Sequence, residues 1–262
     1  MNLATLHLKD GPAHTICVPM PREFQQILHY LTVPADGAGK VLHLMAPKGR
    51  IVDVAGDNIA SLEVAPPHVL VRDFMSEAEL DQIWAFTEAH VEGFQNSGTY
   101  EPHLADTIKR RRSRILDGPE NAQMATLIMP KLKALMPRLW PQLGLDPVIF
   151  NKLEAQISVH GDGDFFAIHT DNSPAEIAHR EVSYVLYFHR DPKQFSGGHL
   201  RLYNTLFRQD GVACGSLAAD IEPPRNGLMV FPSSISHEVT PIACASDALA
   251  DQRLTLNGWL AR

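Results

Sequence analysis

The sequence predicts a mainly β protein with flanking helices. Its core is a jelly roll, or double-stranded β-helix, preceded by a small N-terminal α+β segment. Three observations predict this. From residue 153 onward the chain reads as short alternating runs punctuated by turn formers: Gly161, Gly163, Pro174, Pro192, Gly197-Gly198, Pro223-Pro224 and Pro241. A helical period is confined to three stretches, after Pro21, after Ser76 and from Asn121. A length of 262 residues, 45% of them hydrophobic, allows one large β-rich domain with a small appendage.

Taken in order, residues 1–64 form short strands around one helix. Strands are expected over 4–8 and 14–18. Pro21 suits a helix start, and Phe24, Ile27, Leu28 and Leu31 follow at helical spacing until Pro34 and Gly37 end the run. Residues 41–45 and 50–54 read as a hairpin around Pro47-Lys48-Gly49. This segment is a packing layer or a module for a substrate or partner. A strand follows over 69–73. Ser76 then caps a helix, with Glu79 completing a capping box. Leu80, Ile83, Trp84 and Val91 make its apolar stripe. Residues 93–106 have no period and carry Phe94, Tyr100 and His103 among small polar residues, which suits a loop or lid. Residues 109–114, KRRRSR, are the basic run of the chain. They read as a strand with alternating solvated arginines or as a substrate contact. Residues 121–139 are a helix with Met124, Leu127, Ile128, Leu135 and Met136 inward, expected to kink at Pro130.

The chemistry begins at FFAIHTD (165–171). It places His169 and Asp171 two residues apart at the end of an alternating run. In an extended strand such residues share a face, as two ligands of one metal must. His237, in PSSISHEV, is the candidate third ligand. Two histidines and one carboxylate on one side of an iron leave positions open, the arrangement of non-haem Fe(II) oxygenases. In a chain with 13 histidines an HxD pair also arises by chance. The tail adds weight. Arg253 and Thr255 share a face of QRLTLNGWL and form a fork for a carboxylate. The tail offers no acidic partner on that face, so an acidic small molecule is expected to supply one.

These runs carry a family resemblance. GDGDFFAIHTDN, REVSYVLYFHRD, SGGHLRLYN, GLMVFPSSISHEVTPI and RLTLNGWL, between about 153 and 260, resemble the Fe(II)/2-oxoglutarate-dependent oxygenases, in particular the prolyl-hydroxylase-like branch. APPHVLVRDFMSEAEL and RRRSRIL extend a weaker likeness back to about residue 65, so 65–262 is read as the oxygenase domain and 1–64 as a segment of unknown role. The resemblance implies Fe(II) and 2-oxoglutarate as cofactors, with ascorbate as a further candidate. It implies hydroxylation coupled to conversion of 2-oxoglutarate to succinate and CO2. It implies that His169, Asp171 and His237 hold the metal, and that Arg253, Thr255 and Tyr187 hold the distal carboxylate of the cosubstrate. Related halogenases lack the carboxylate ligand, so Asp171 favours hydroxylation. One position departs from the pattern: nine residues before His169, where the family has tyrosine, stands His160, read as a further contact to the cosubstrate or to a metal-bound water, or as a pH-sensitive group behind the ligands. His179, His189 and His199 stand outside the ligand positions and read as structural or as residues supporting the ligands.

The resemblance implies a prolyl or other residue of a peptide or protein as substrate. A free amino acid or small metabolite is the alternative, and a non-catalytic jelly-roll binding or sensor protein a further one. A net charge of −7 argues against nucleic acid as partner. The three cysteines, Cys17, Cys214 and Cys244, make no disulfide framework and fit a reducing compartment. With no signal-like start and no apolar run long enough for a membrane span, the chain is expected to be soluble and cytoplasmic. Oligomeric state has no sequence marker.

Overall fold

The computed structural model describes residues 3–17, 21–97, 110–116, 118–173 and 175–262. Val18, Tyr100, His103, Lys109 and Pro174, each part of an expectation above, lie outside these residues. The described chain forms two compact units, Met1–Pro66 with Leu202–Ala218, and Pro67–Arg201 with Ala219–Arg262.

The first unit begins with strands β1 (Leu3–Leu8) and β2 (His14–Cys17) and helix α1 (Pro21–Thr32). A hairpin of β3 (Val41–Met45) and β4 (Ile51–Ala55) follows, then β5 (Ile59–Val64). β1 lies between β2 and β5, antiparallel to both. Residues 202–218 add a further strand on β5, with Thr205 opposite Val64. Leu6, Ile16 and Leu62 of the sheet bury against Ile27 and Leu31 of α1 and Leu42, Leu44 and Val54 of the hairpin. The helix thus begins at Pro21 and buries the stripe its spacing predicts.

The second unit holds β6 (Val69–Val71), α2 (Glu77–Ala89), β7 (Gln95–Asn96), β8 (Arg111–Arg112), β9 (Arg114–Leu116) and α3 (Ala122–Leu143). It continues with β10 (Lys152–His160), β11 (Phe165–His169), β12 (Arg180–Tyr187) and β13 (Phe195–Gly197). β14 (Leu200–Arg208) and β15 (Gly211–Ile221) are the strands that supply residues 202–218 to the first unit. β16 (Leu228–Pro232), β17 (His237–Val239), β18 (Ile242–Cys244) and β19 (Arg253–Ala261) complete the chain. Seven strands form one sheet in the order β6-β16-β12-β19-β10-β9-β7. β11 pairs with β17 and with β8.

The seven-stranded sheet has two chemically different faces, as a period of two dictates. Ile157 and Val159 of β10, Leu254, Leu256 and Leu260 of β19, and Val182, Tyr184 and Leu186 of β12 pack on the helices. The helices contribute Leu80, Ile83 and Trp84 from α2 and Met124, Ile128, Leu132 and Met136 from α3. Intervening residues are polar yet buried: Gln156, Ser158 and His160, then Arg253 and Thr255, then Ser183. A buried face this polar is costly unless it serves a ligand or a hydrogen-bond network. At Gly258 an added Cβ would meet Glu154 O and the Tyr184 hydroxyl, so only glycine lets β10, β19 and β12 close here.

Three expectations change on contact with the structure. Val91 leaves the α2 stripe and is 42% exposed, because the helix ends at Ala89 and Val91 lies in the turn beyond. α3 runs on to Leu143, beyond the end expected at 139, and contains Pro137 and Pro141 as well as Pro130. All three prolines lie on its exposed side, where water reaches the carbonyls they leave unbonded. The strand expected over 69–73 stops at Val71. The capping box is present: Ser76 Oγ accepts from Glu79 N at 3.3 Å, and Glu79 Oε2 accepts from Ser76 N at 2.7 Å.

Candidate functional site

β11 and β17 set His169 directly opposite His237, with ring centroids 4.1 Å apart. Asp171 sits in the turn just past β11, where its N–H donates to Ser233 O at 2.9 Å. His169 Nε2 lies 3.5 Å from Asp171 Oδ1, and His237 Nε2 lies 3.6 Å from Asp171 Oδ2. Among the described residues, these are the three His, Cys, Asp or Glu side chains close enough to share one ion, with ligand atoms within 4.8 Å of one another. Each imidazole is oriented by the backbone two residues before it. His169 Nδ1 meets Ala167 O at 2.8 Å, and His237 Nδ1 meets Ile235 O at 2.9 Å. A carbonyl only accepts, so the proton sits on Nδ1 and the Nε2 lone pair faces the other ligands. Two such nitrogens and a carboxylate fit a divalent cation.

Two serines unremarked in the sequence hold the carboxylate. Ser183 Oγ donates to Asp171 Oδ2 at 2.6 Å and meets Ser233 Oγ at 3.0 Å. Burial pushes the Asp171 carboxyl up, but His237 and His169, with the Ser183 hydrogen bond, outweigh it and hold the group well below the usual carboxylate range. Burial and the neighbouring His169 push His237 down to about 4, against the pull of Asp171. Both shifts leave the groups in their ligand forms at neutral pH: carboxylate and neutral imidazole. Phe166 stacks on His169 with centroids 3.5 Å apart.

The sheet register assembles a second cluster. On β19, Arg253 is opposite His160 of β10, and Thr255 is opposite Ser158 of β10 and Tyr187 of β12. Direct partners share a face, so Arg253, Thr255, Tyr187 and His160 are brought together. Arg253 is 2% exposed, and no carboxylate among the described residues lies within ion-pair distance of it. Its Nε donates to Gly198 O at 2.9 Å. Its guanidinium carbon lies 5.2 Å from the Tyr187 ring centroid. The Tyr187 hydroxyl, the Thr255 hydroxyl and both His160 nitrogens are buried without a hydrogen-bond partner. Burial and the charges of Arg253 and Arg111 hold the His160 pKa well below its ordinary value. Burial pushes the Tyr187 phenol up. Gly198 is required beside the arginine: φ is +65°, and a Cβ would come within 2.6 Å of Arg253 Cδ.

A cavity of about 60 Å³ joins the two clusters. Its walls include His160, Arg253 and Asn257 together with His169, Asp171 and His237, while Tyr187 and Thr255 lie outside its lining. A buried cation with unsatisfied donors around it fits an acidic ligand reaching toward the metal site. A larger cleft of about 710 Å³ opens on His169 and Asp171, between β10, β11 and the start of α3. The other histidines stay apart. His179 lies 3.3 Å from Glu154, His199 lies 2.8 Å from Asp220, and His189 stacks edge-on against Phe195. No described helix is long and apolar enough to cross a membrane.

With this geometry in hand, similarity to known proteins is informative. Residues 155–261 match the family model of the 2OG-Fe(II) oxygenase superfamily. An uncharacterized PKHD-type hydroxylase of Synechocystis sp. is 34% identical over 192 residues, covering 73% of this chain and 62% of that protein. A PKHD-type hydroxylase of Shewanella baltica is 26% identical, covering 65% of this chain and 66% of its own length. The chain thus spans less than two thirds of these relatives. In fold, it is similar to a prolyl-4-hydroxylase of Pseudomonas putida: TM-score 0.50, 22% identity, 75% of this chain and 93% of that one. It is also similar to a Trichoplax adhaerens prolyl hydroxylase solved with a peptide fragment of the hypoxia inducible factor oxygen degradation domain: TM-score 0.52, 14% identity, 93% and 94%. Residues 155–261 thus match the 2OG-Fe(II) oxygenase superfamily, whose cofactors are Fe(II) and 2-oxoglutarate, and the proteins to which the chain is similar are PKHD-type hydroxylases in sequence and prolyl hydroxylases in fold.

Proposed function

We propose that the chain is an Fe(II)- and 2-oxoglutarate-dependent dioxygenase that hydroxylates a prolyl or other residue of a peptide or protein. The observation that carries this reading is the buried, carboxylate-free Arg253 sharing one small cavity with His169, Asp171 and His237. The triad would hold Fe(II) through two Nε2 atoms and the carboxylate. Arg253, Thr255, Tyr187 and His160 would hold the distal carboxylate of 2-oxoglutarate. Bound together, metal and cosubstrate would supply the oxidising chemistry, with dioxygen as oxidant and 2-oxoglutarate converted to succinate and CO2.

The protein's own share is placement. Ala167 O and Ile235 O fix the imidazole tautomers, and Ser183 fixes the carboxylate. Arg253 neutralises the incoming carboxylate, while Tyr187 and Thr255 satisfy it with hydroxyl donors. The buried wall excludes water from that end. The cleft, about 710 Å³, has room for a short peptide segment. The Trichoplax relative was solved with a peptide, in keeping with this.

The test is a mass-spectrometric assay. Purified protein is given Fe(II), 2-oxoglutarate, ascorbate and labelled dioxygen with a digest of cellular protein. Label is expected in peptide and in succinate, and to vanish in His169→Ala and His237→Ala. Absence of 2-oxoglutarate turnover by the wild type, or its persistence in either variant, rejects the reading.

A further inference from the structure

The large cleft and the small cavity share part of their walls. Arg111, Gln156, Phe166, His169, Asp171 and Trp259 line both, and so form the throat between them. All but Gln156 have contacts that explain their place. His169 and Asp171 belong to the triad. Phe166 stacks on His169. Arg111 lies over Phe166, and its Nε donates to Ser113 Oγ at 2.9 Å. Trp259 lies against Arg180, whose guanidinium carbon is 3.6 Å from the ring centroid.

Gln156 is 8% exposed, yet its side-chain amide makes no hydrogen bond to any described residue. The alternation of β10 puts it on the polar face with Ser158 and His160, and its partner across the sheet is Asn257 of β19. Two amides so placed could bond to each other. Asn257 instead donates from Nδ2 to Ser158 Oγ at 2.8 Å, the next position along that face. The Gln156 amide is therefore free to meet whatever enters the throat. Packing alone does not call for it. A buried amide without a partner costs free energy, and methionine would fill a similar volume without that cost.

The chemistry of the amide names its complement. It offers two donors and an acceptor but no charge, which matches a main-chain peptide group. Of the two halves of that group, the carbonyl is the one every residue has, since proline lacks the N–H. Resting on the peptide-hydroxylase reading above, we propose that Gln156 determines specificity for peptide: its Nε2 donates to the main-chain carbonyl of the residue to be hydroxylated. The bond tethers the target by its backbone, beside His169 and Asp171. Losing it strands a carbonyl in a buried throat, so binding should weaken about 5- to 100-fold.

The experiment takes the best labelled peptide from the digest assay and makes a second form with a thioamide in place of the peptide group after the target residue. Sulfur keeps the shape nearly unchanged and is the poorer acceptor. Both peptides are bound to the full chain, wild type and Gln156→Met, loaded with Fe(II) and 2-oxoglutarate without oxygen. The ordinary peptide should bind the variant about 5- to 100-fold more weakly than the wild type. The thioamide should weaken binding to the wild type and make little difference to the variant, so that the two changes are not additive. Urea unfolding separates this role from a structural one. With no internal bond to lose, Gln156→Met should be at least as stable as the wild type. A variant that binds the ordinary peptide as the wild type does overturns this inference and leaves the hydroxylase reading standing. So does a thioamide penalty equal in both proteins, or a variant less stable than the wild type. A digest with no label removes both.

Discussion

At Ser183 one hydroxyl decides where the Asp171 carboxylate points. It donates at 2.6 Å to the oxygen nearer His237 and is braced by Ser233. Ser183→Ala should weaken Fe(II) binding about 10- to 100-fold, the usual range for removing a group that orients a metal ligand. Equilibrium titration with Fe(II) under anaerobic conditions measures it, and unchanged affinity would deny Ser183 that role. At Arg253 the stakes are larger. On the proposed reading, Arg253→Ala removes one member of a buried charge pair from the complex with 2-oxoglutarate. That costs about 3–5 kcal/mol, or roughly two to four decades in affinity. Tyr187→Phe should cost only about 0.5–1.5 kcal/mol. A cosubstrate titration in which Arg253→Ala matches the wild type would overturn the assignment. The HxD pair, the distant His and the RxT pair were legible because residues two apart on a strand share a face. Ser183 and Ser233 were not. Their meaning depends on which strands lie side by side: Ser183 faces Phe231 on one neighbour and Trp259 on the other. One signal was available, since Ser183 and Tyr187 are four apart on β12 and therefore share the polar face.

Among the elements, α2 shows what local sequence can and cannot specify. Its start is written in four residues: Ser76 and Glu79 satisfy each other's backbone N–H, and both bonds are present. Its end is not. His90 caps the helix without an αL residue, so nothing in the sequence separates Val91 from the stripe of Leu80, Ile83 and Trp84. Glu79 also meets Lys131 of α3 at 2.9 Å, tying the two helices that cover the sheet. Ser76→Ala should lower stability by about 1 kcal/mol. Urea unfolding should show an earlier midpoint with an unchanged slope, whereas no change in midpoint would mean that the box contributes nothing. α3 makes the complementary point. Its three prolines are poor helix residues, yet its buried row of Met124, Ile128, Leu132 and Met136 holds the helix to the sheet, and tertiary packing outweighs local preference.

For the whole molecule, the hydrophobic period marked nearly every element, but long-range pairing was invisible. No local feature of residues 202–218 announces that Thr205 will lie opposite Val64. The polar buried face was partly legible, and it gives the molecule a pH signature. His189 is buried with its Nδ1 unpartnered, and burial, with Lys193, Arg253 and Arg225 nearby, pushes it down to about 4. His160 shifts in the same direction. Between about pH 6.5 and 4 the unfolded chain binds protons at His189 that the folded chain refuses. Stability therefore rises with pH across that window and is lost as pH falls through it. For His189 the interval from 6.5 to about 4 corresponds to about 3 kcal/mol. Asp171 acts lower, because its folded pKa lies beneath the usual carboxylate range: its contribution is present above the unfolded value and disappears in stronger acid. The metal-free protein should accordingly lose urea resistance steadily from pH 6.5 to pH 4. His189→Phe keeps a ring against Phe195 but cannot take a proton, so its stability should fall less steeply over the same window. A flat wild-type profile, or a variant with an identical slope, would mean that His189 is not held neutral inside the fold.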